Sequence, residues 1–119
     1  MIIGTGIDII EISRIAAFVN RQPRFAQRIL NEKEMIRYRT LQGRRQVEFL
    51  AGRFAAKEAY AKAIGTGIGI ELSWHDITVV PDEKGKPVIS SHYPYHTHLS
   101  ISHSKEFAAA TVIIESLSS

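Results

Sequence analysis

The feature that most constrains this chain is a helix-forming run from about Arg44 to Ile64, rich in Ala and closed by Gly65. Its composition favours helix, and a glycine directly after it supplies a C-terminal stop. At ~100° per residue, Val47, Leu50, Ala51 and Phe54 form an apolar stripe roughly 100° wide. Glu58 projects near the centre of that stripe, where a Leu is expected. Lys62 lies one turn further on, toward the stripe's edge, while Arg53 and Lys57 project to the flank.

A second carboxylate is placed just as oddly. Met1 to Ile12 reads as a buried strand, with Gly4 and Gly6 marking a bend or a close backbone approach, and Asp8 sits among Ile7, Ile9 and Ile10. An ionised carboxylate in apolar surroundings costs several kcal/mol unless it is paired or bound to a cation. Two accounts serve. One is a buried salt bridge, Asp8 with Arg14 or Glu58 with Lys62. The other is a shared metal. Two carboxylates in a chain with 0 Cys favour a hard ion such as Mg²⁺, which keeps several waters and takes further ligands from substrate phosphate. That chemistry belongs to phosphoryl transfer.

Around these residues the pattern predicts α+β architecture. Ser13 is available as N-cap for a helix carrying Ile15, Phe18 and Val19 and ending near Pro23. A short helical piece comes next at Arg24 to Leu30. Asn31 and Glu34 form a capping arrangement for a helix to about Leu41, broken by Gly43. Strands are predicted at His75 to Pro81 and Pro87 to Ser91, around the turn Asp82-Glu83-Lys84-Gly85, and at Leu99 to His103 and Phe107 to Glu115. An N-terminal strand, a helical middle with one long helix, and C-terminal antiparallel strands argue against alternating βαβ units. The tetrapeptide GTGI recurs at Gly4 and Gly65, but the residues after the two copies diverge, so it is no repeat.

Length and composition set the outer limits. At 119 residues, with 45% hydrophobic and 23% charged residues, the expectation is a single domain over 1–119 with a real core, not a disordered chain. No apolar run approaches the roughly 20 residues of a membrane span, and the first residues lack a signal peptide's basic region and cleavage site. The absence of Cys removes disulfides and thiolate chemistry, and a cytoplasmic location is expected. The net charge of +3 is unevenly spread: residues 1–60 carry eleven Lys or Arg against six Asp or Glu, residues 61–119 four against six. All nine arginines fall between Arg14 and Arg53. Such a basic segment suggests a polyanionic ligand, an acidic protein partner or nucleic acid.

Three further groups carry possible chemistry. Gly65-Thr66-Gly67-Ile68-Gly69 comes after a helix C-terminus, the electronegative end, so any phosphate binding there rests on a nest of backbone N–H groups assisted by Lys62. Ser102-His103-Ser104 does not make a serine hydrolase, since strand neighbours point to opposite faces and no G-x-S-x-G elbow exists. His103 is instead a candidate phosphate contact. His92, His96 and His98 offer a transition metal an H-x-H pair, although a Pro-containing exposed loop explains them more simply.

GIDIIEISRI at Gly6 to Ile15, RFAAKEAYAKAIGTG at Arg53 to Gly67 and LSISHS at Leu99 to Ser104, in that order and spacing, resemble the holo-acyl-carrier-protein synthases, small 4′-phosphopantetheinyl transferases. The likeness spans nearly the whole chain. It implies a 4′-phosphopantetheinyl transferase-like fold and a Mg²⁺-dependent reaction supporting fatty acid biosynthesis. In that reaction the phosphopantetheine arm of coenzyme A passes to a serine of apo acyl carrier protein, leaving adenosine 3′,5′-bisphosphate. It makes Asp8 and Glu58 the Mg²⁺ ligands and, with Lys62, the catalytic set; water or a carboxylate takes the serine proton. Arg53, Lys62, Gly65, Thr66, Gly67 and His103 would hold coenzyme A, with Arg45 as a helper.

The resemblance also matches Arg14, Phe18, Arg21, Gln22, Arg24 and Arg28 to the region that docks the acidic carrier protein, and implies a homotrimer with sites at subunit interfaces. Neither nucleic acid nor membrane is expected as a partner. An Arg-rich nucleic-acid module would bind in a strongly salt-dependent way and would not need Asp8 or Glu58. A His-cluster metal protein would bind Zn²⁺ or Ni²⁺ through the His92 to His98 stretch without coenzyme A.

Overall fold

In the computed structural model, which describes residues 1–117, the chain begins with strand β1 (Ile2–Glu11). Four helices come next, α1 (Ile12–Arg21), α2 (Phe25–Ile29), α3 (Glu32–Thr40) and α4 (Gly43–Ile64). Two hairpins complete it, β2 (Thr78–Pro81) with β3 (Pro87–Ser90) and β4 (His96–His103) with β5 (Phe107–Glu115). β1 pairs antiparallel with β5, giving a three-stranded sheet of order β1-β5-β4, and β2-β3 forms a second sheet. The fold is α+β, as the sequence predicts.

α4 packs against all three strands of the larger sheet, and β1 explains how it comes so close. A Cβ on Gly4 would sit 2.0 Å from the Ala63 carbonyl oxygen, and one on Gly6 1.9 Å from that of Ala59. Only hydrogen in place of Cβ lets the strand backbone lie on the helix. Alternation then turns Gly4, Gly6, Asp8 and Ile10 toward α4 and leaves Ile3, Ile7 and Ile9 on the outer sheet face.

The helix is buried more widely than a single stripe requires. Leu50 and Ala51 are fully buried, Val47 and Phe54 only partly, and Ala55, Ala56, Ala59, Ala61 and Lys57 are buried as well. The reason is that α4 has neighbours on two sides, the sheet on one and α1, α2, α3 and β2 on the other. Lys57, expected on an open flank, is therefore enclosed.

Several boundaries differ from expectation for local reasons. Ser13 does not cap α1. Its N-cap is Glu11, with no side-chain cap, and the Ile12 amide donates to the Glu106 carbonyl at 2.8 Å, so tertiary contact replaces the cap. The Asn31–Glu34 capping box forms as predicted, with both reciprocal bonds. Gly43 does not merely break a helix; at φ 59 it opens α4. Gly65 ends α4 in the left-handed conformation, φ 100. The segment from His75 is not all strand, because Ser73 and Asp76 cap a 3₁₀ turn, Trp74–Asp76, ahead of β2. β4 starts earlier than expected, and His96 and His98 lie on it instead of in a loop.

Candidate active site

Asp8, Glu58 and Lys62 converge where β1 crosses α4. The Lys62 ammonium donates to Asp8 Oδ1 at 3.1 Å and to the Ile7 carbonyl at 3.0 Å. The sequence offers Arg14 for Asp8 and Lys62 for Glu58; in the structure Lys62 turns instead to Asp8. Asp8 is 16% exposed and its partner 53%, so the pair opens to solvent on one side. Glu58 is half-buried and has no hydrogen bond or ion pair among the described residues. Burial pushes its carboxyl above the usual carboxylate range, the Asp8 charge pushes it further, and Lys62 only partly offsets both. Two carboxylates thus share one half-open site with one lysine. Such a donor set fits a hard divalent cation, and no third His, Asp or Glu completes a metal cluster among the described residues.

A second cationic cluster lies at the other edge of the sheet. Arg37, Arg45, Arg53 and His103 line a cavity of about 200 Å³ together with Phe49 and Ile101. The Arg53 guanidinium lies 4.2 Å from the Phe49 ring centroid, while its Nε is buried without a hydrogen-bond partner among the described residues. Burial lowers the Arg53 pKa, Glu34 counteracts that, and Arg37 adds to it. The sequence suggests Arg53, Arg45 and His103 here but not Arg37, which belongs to none of the motifs that carry the resemblance.

The glycine loop differs from the predicted amide nest. The N–H groups of Gly65 and Gly67 both donate to the Ala61 carbonyl, at 3.0 and 3.2 Å, and that of Gly69 donates to Leu72. These amides are engaged in ending the helix and shaping the turn. Beside them lies an open cavity of about 380 Å³ lined by Gly65, Thr66, Gly67, Gly69, Ile70 and Glu71.

The arginines of the first helices form a ridge. Arg14 and Arg21 both lie over the Phe18 ring, at 5.8 and 5.4 Å, and Phe18 stacks on Phe25 at 5.1 Å. Arg14, Arg21, Gln22, Arg24 and Arg28 are exposed, and none of these arginines is within ion-pair distance of a carboxylate among the described residues. Among the described residues the histidines join no group of three His, Asp or Glu that could hold a metal. His98 meets Glu115 at 2.5 Å, and the His92 ring lies tilted against that of Tyr93 at 4.4 Å.

Sequence reasoning missed one pair altogether. Lys57 and Glu34 are both fully buried, 2.7 Å apart. Lys57 also donates to the carbonyls of Ile29 and Trp74, and Glu34 accepts from the amides of Asn31 and Val79. The only available signal was a lysine flanked by Ala55, Ala56 and Ala59, a setting with no exposed face.

Paired carboxylates beside a lysine, a pocket whose Arg37, Arg45 and Arg53 are in no ion pair among the described residues, and a basic ridge suit an enzyme handling phosphate esters. The sequence pattern of the 4′-phosphopantetheinyl transferase superfamily matches residues 4–112. A holo-[acyl-carrier-protein] synthase of Anoxybacillus flavithermus is 57% identical over 100% of both chains. Among solved structures, that of a holo-(acyl-carrier-protein) synthase from Bacillus anthracis in complex with coenzyme A (3′,5′-ADP) superposes with a TM-score of 0.92. It shares 54% identity and covers 98% of each chain. The Helicobacter pylori holo-[acyl-carrier-protein] synthase in complex with coenzyme A gives 0.83 at 34% identity, covering 93% of this chain and 99% of that one. The chain belongs to the 4′-phosphopantetheinyl transferase superfamily, among its holo-[acyl-carrier-protein] synthases, and is a transferase.

Proposed function

We propose that this chain moves the 4′-phosphopantetheine arm of coenzyme A to a serine of apo acyl carrier protein, with adenosine 3′,5′-bisphosphate as the other product and Mg²⁺ as cofactor. The observation that carries the metal-dependent reading is the Asp8–Glu58 pair: the Glu58 carboxyl pKa is raised by burial and by Asp8, yet Glu58 has no hydrogen bond or ion pair among the described residues. Mg²⁺ bound by Asp8 and Glu58 supplies charge neutralisation at the pyrophosphate of the donor.

The other roles rest on the residues themselves. Lys62, fixed by Asp8 and the Ile7 carbonyl, presents an ammonium to the phosphates and stabilises charge on the leaving oxygen. Water or a carboxylate at this site accepts the serine proton. Arg45, Arg53 and His103 form a cationic pocket for a donor phosphate, and Thr66 with Gly65 and Gly67 borders the open loop cavity beyond Lys62. The ridge of Arg14, Phe18, Arg21, Gln22, Arg24 and Arg28 suits an acidic carrier protein, since exposed guanidiniums outside any ion pair are open to a partner's carboxylates.

A homotrimer with composite sites belongs to the same reading. The outer face of the larger sheet leaves Ile7 64% and Ile9 62% exposed, a surface that association would cover. Asp8 lies on β1 and His103 on β4, opposite edges of the sheet, with α4 packed across it. One donor molecule would meet both clusters if they came from neighbouring subunits. A cytoplasmic role in fatty acid biosynthesis accords with such a partner; among the described residues no helix is long and apolar enough to cross a membrane.

Intact-mass analysis of apo acyl carrier protein incubated with coenzyme A tests the reading. A phosphopantetheine mass increment that requires Mg²⁺ is expected; none, or one indifferent to chelator, overturns it.

A further inference from the structure

Arg37 lies on the exposed side of α3 and lines two adjoining cavities. One, of about 200 Å³, is shared with Arg45, Arg53, Glu48 and His103; the other, of about 530 Å³, with Lys33, Glu34 and Arg53. The carboxylates at these walls are already occupied. Glu48 accepts from Arg44 at 2.9 Å, and Glu34 from Lys57 and the Val79 amide, each at 2.7 Å. None of Arg37, Arg45 and Arg53 is in an ion pair among the described residues, and the buried Nε of Arg53 has no acceptor.

Three guanidiniums lining one small space repel one another unless an anion joins them, and the His103 imidazole beside them offers a further hydrogen-bonding group. Arginine forks match phosphate oxygens, and a terminal monoester, with three free oxygens and nearly two charges, engages more of them than an internal diester. The pyrophosphate of the donor belongs with Asp8, Glu58 and Lys62 at the other edge of the sheet. That leaves the terminal phosphate for this pocket.

We propose that Arg37 is a specificity-determining residue that reads the 3′-phosphate of coenzyme A and sets the preference for coenzyme A over 3′-dephospho-coenzyme A. This rests on the transferase reading above and extends its phosphate pocket to α3.

The test compares wild type, Arg37→Gln and Arg37→Lys, with coenzyme A and 3′-dephospho-coenzyme A as donors. Calorimetry with adenosine 3′,5′-bisphosphate and with 5′-AMP runs alongside. Because Arg37 is exposed, both variants should keep the wild-type melting temperature. The ratio of kcat/KM for the two donors should fall roughly tenfold in Arg37→Gln, the scale of one charge-assisted hydrogen bond, and by less in Arg37→Lys. The calorimetric preference for the bisphosphate should fall in parallel. An unchanged ratio, whether both donors weaken together or neither does, overturns the assignment. If wild type transfers from neither donor, the transferase reading fails. A bisphosphate preference lost in Arg37→Gln would still sustain this one, and an intact preference would end it.

Discussion

Helix α4 carries two lysines that each meet a carboxylate from another element, and the two pairs are built in opposite ways. Lys57 and Glu34 are sealed from solvent; three acceptors take up the ammonium's protons and backbone amides occupy the carboxylate. Lys62, half in solvent, meets the mostly buried Asp8 beside a second carboxylate, Glu58, with too little positive charge for both. A buried pair whose hydrogen bonds are all made joins α4 to α2, α3 and β2 and has nothing left to offer a ligand. The site at β1 is electrostatically incomplete, and an incomplete site is what binds. The same helix thus separates holding the fold from doing chemistry by how completely each charge is satisfied.

The sharpest way to break this contrast is to remove one partner of the sealed pair. Glu34→Gln strands a buried ammonium and should cost on the order of 3 to 5 kcal/mol of folding free energy, read by denaturant unfolding. The folded fraction should keep its Mg²⁺ dependence. A normal unfolding midpoint would mean that Lys57 finds other compensation and that the pair does not hold α4 in place.

Glu58→Gln should do the reverse. Transferase rate should fall roughly a hundredfold, about 2.7 kcal/mol of barrier, while the metal-free melting temperature stays level or rises. A strongly destabilised variant whose folded fraction turns over normally across a Mg²⁺ titration would make Glu58 a structural residue.

That contrast also marks how much is legible in the sequence. Glu58 and Asp8 can be found because each interrupts a periodic apolar pattern, and Gly4 and Gly6 because a strand has no other use for them so close together. The Asn31–Glu34 cap is legible because its bonds lie within one turn. The second role of Glu34 is not, since its partners Lys57 and Val79 are distant in sequence and no local pattern records the meeting. Lys57 is misplaced for a related reason: a single-stripe helix has an open flank, and α4, packed on two sides, has none there. Arg37 escapes because an arginine on an exposed helix face gives no signal until α4 and β4 supply the rest of the pocket.

At the basic ridge the expected effect is smaller and confined to one substrate. Reversing Arg24 and Arg28 to Glu should raise the KM for acyl carrier protein roughly tenfold and flatten its salt dependence, because exposed charges steer encounter and are screened beyond about 10 Å at 0.1 M salt. Affinity for coenzyme A should be nearly unaltered. Calorimetry in which coenzyme A binding collapses while carrier-protein kinetics stay normal would move the docking surface elsewhere.

The smallest effect concerns the sign of the Glu58 contribution. Burial, with Asp8 adding to it, raises the Glu58 carboxyl above its unfolded value. The folded protein therefore holds that proton more tightly than the unfolded chain. Relative to neutral pH, this group favours folding below the unfolded carboxylate pKa, and the advantage is lost as pH rises through the raised folded value. Glu58→Gln cannot ionise, so without metal it should melt slightly above wild type at pH 7, with the gap closing as pH falls through the carboxylate range. Adding Mg²⁺ should stabilise wild type and leave the variant nearly unmoved, reversing the order at pH 7. A gap that widens on acidification would mean that Glu58 is stabilised as its anion in the folded state. That would place a cationic partner beside it and remove the incompleteness on which the metal-binding reading of β1 and α4 depends.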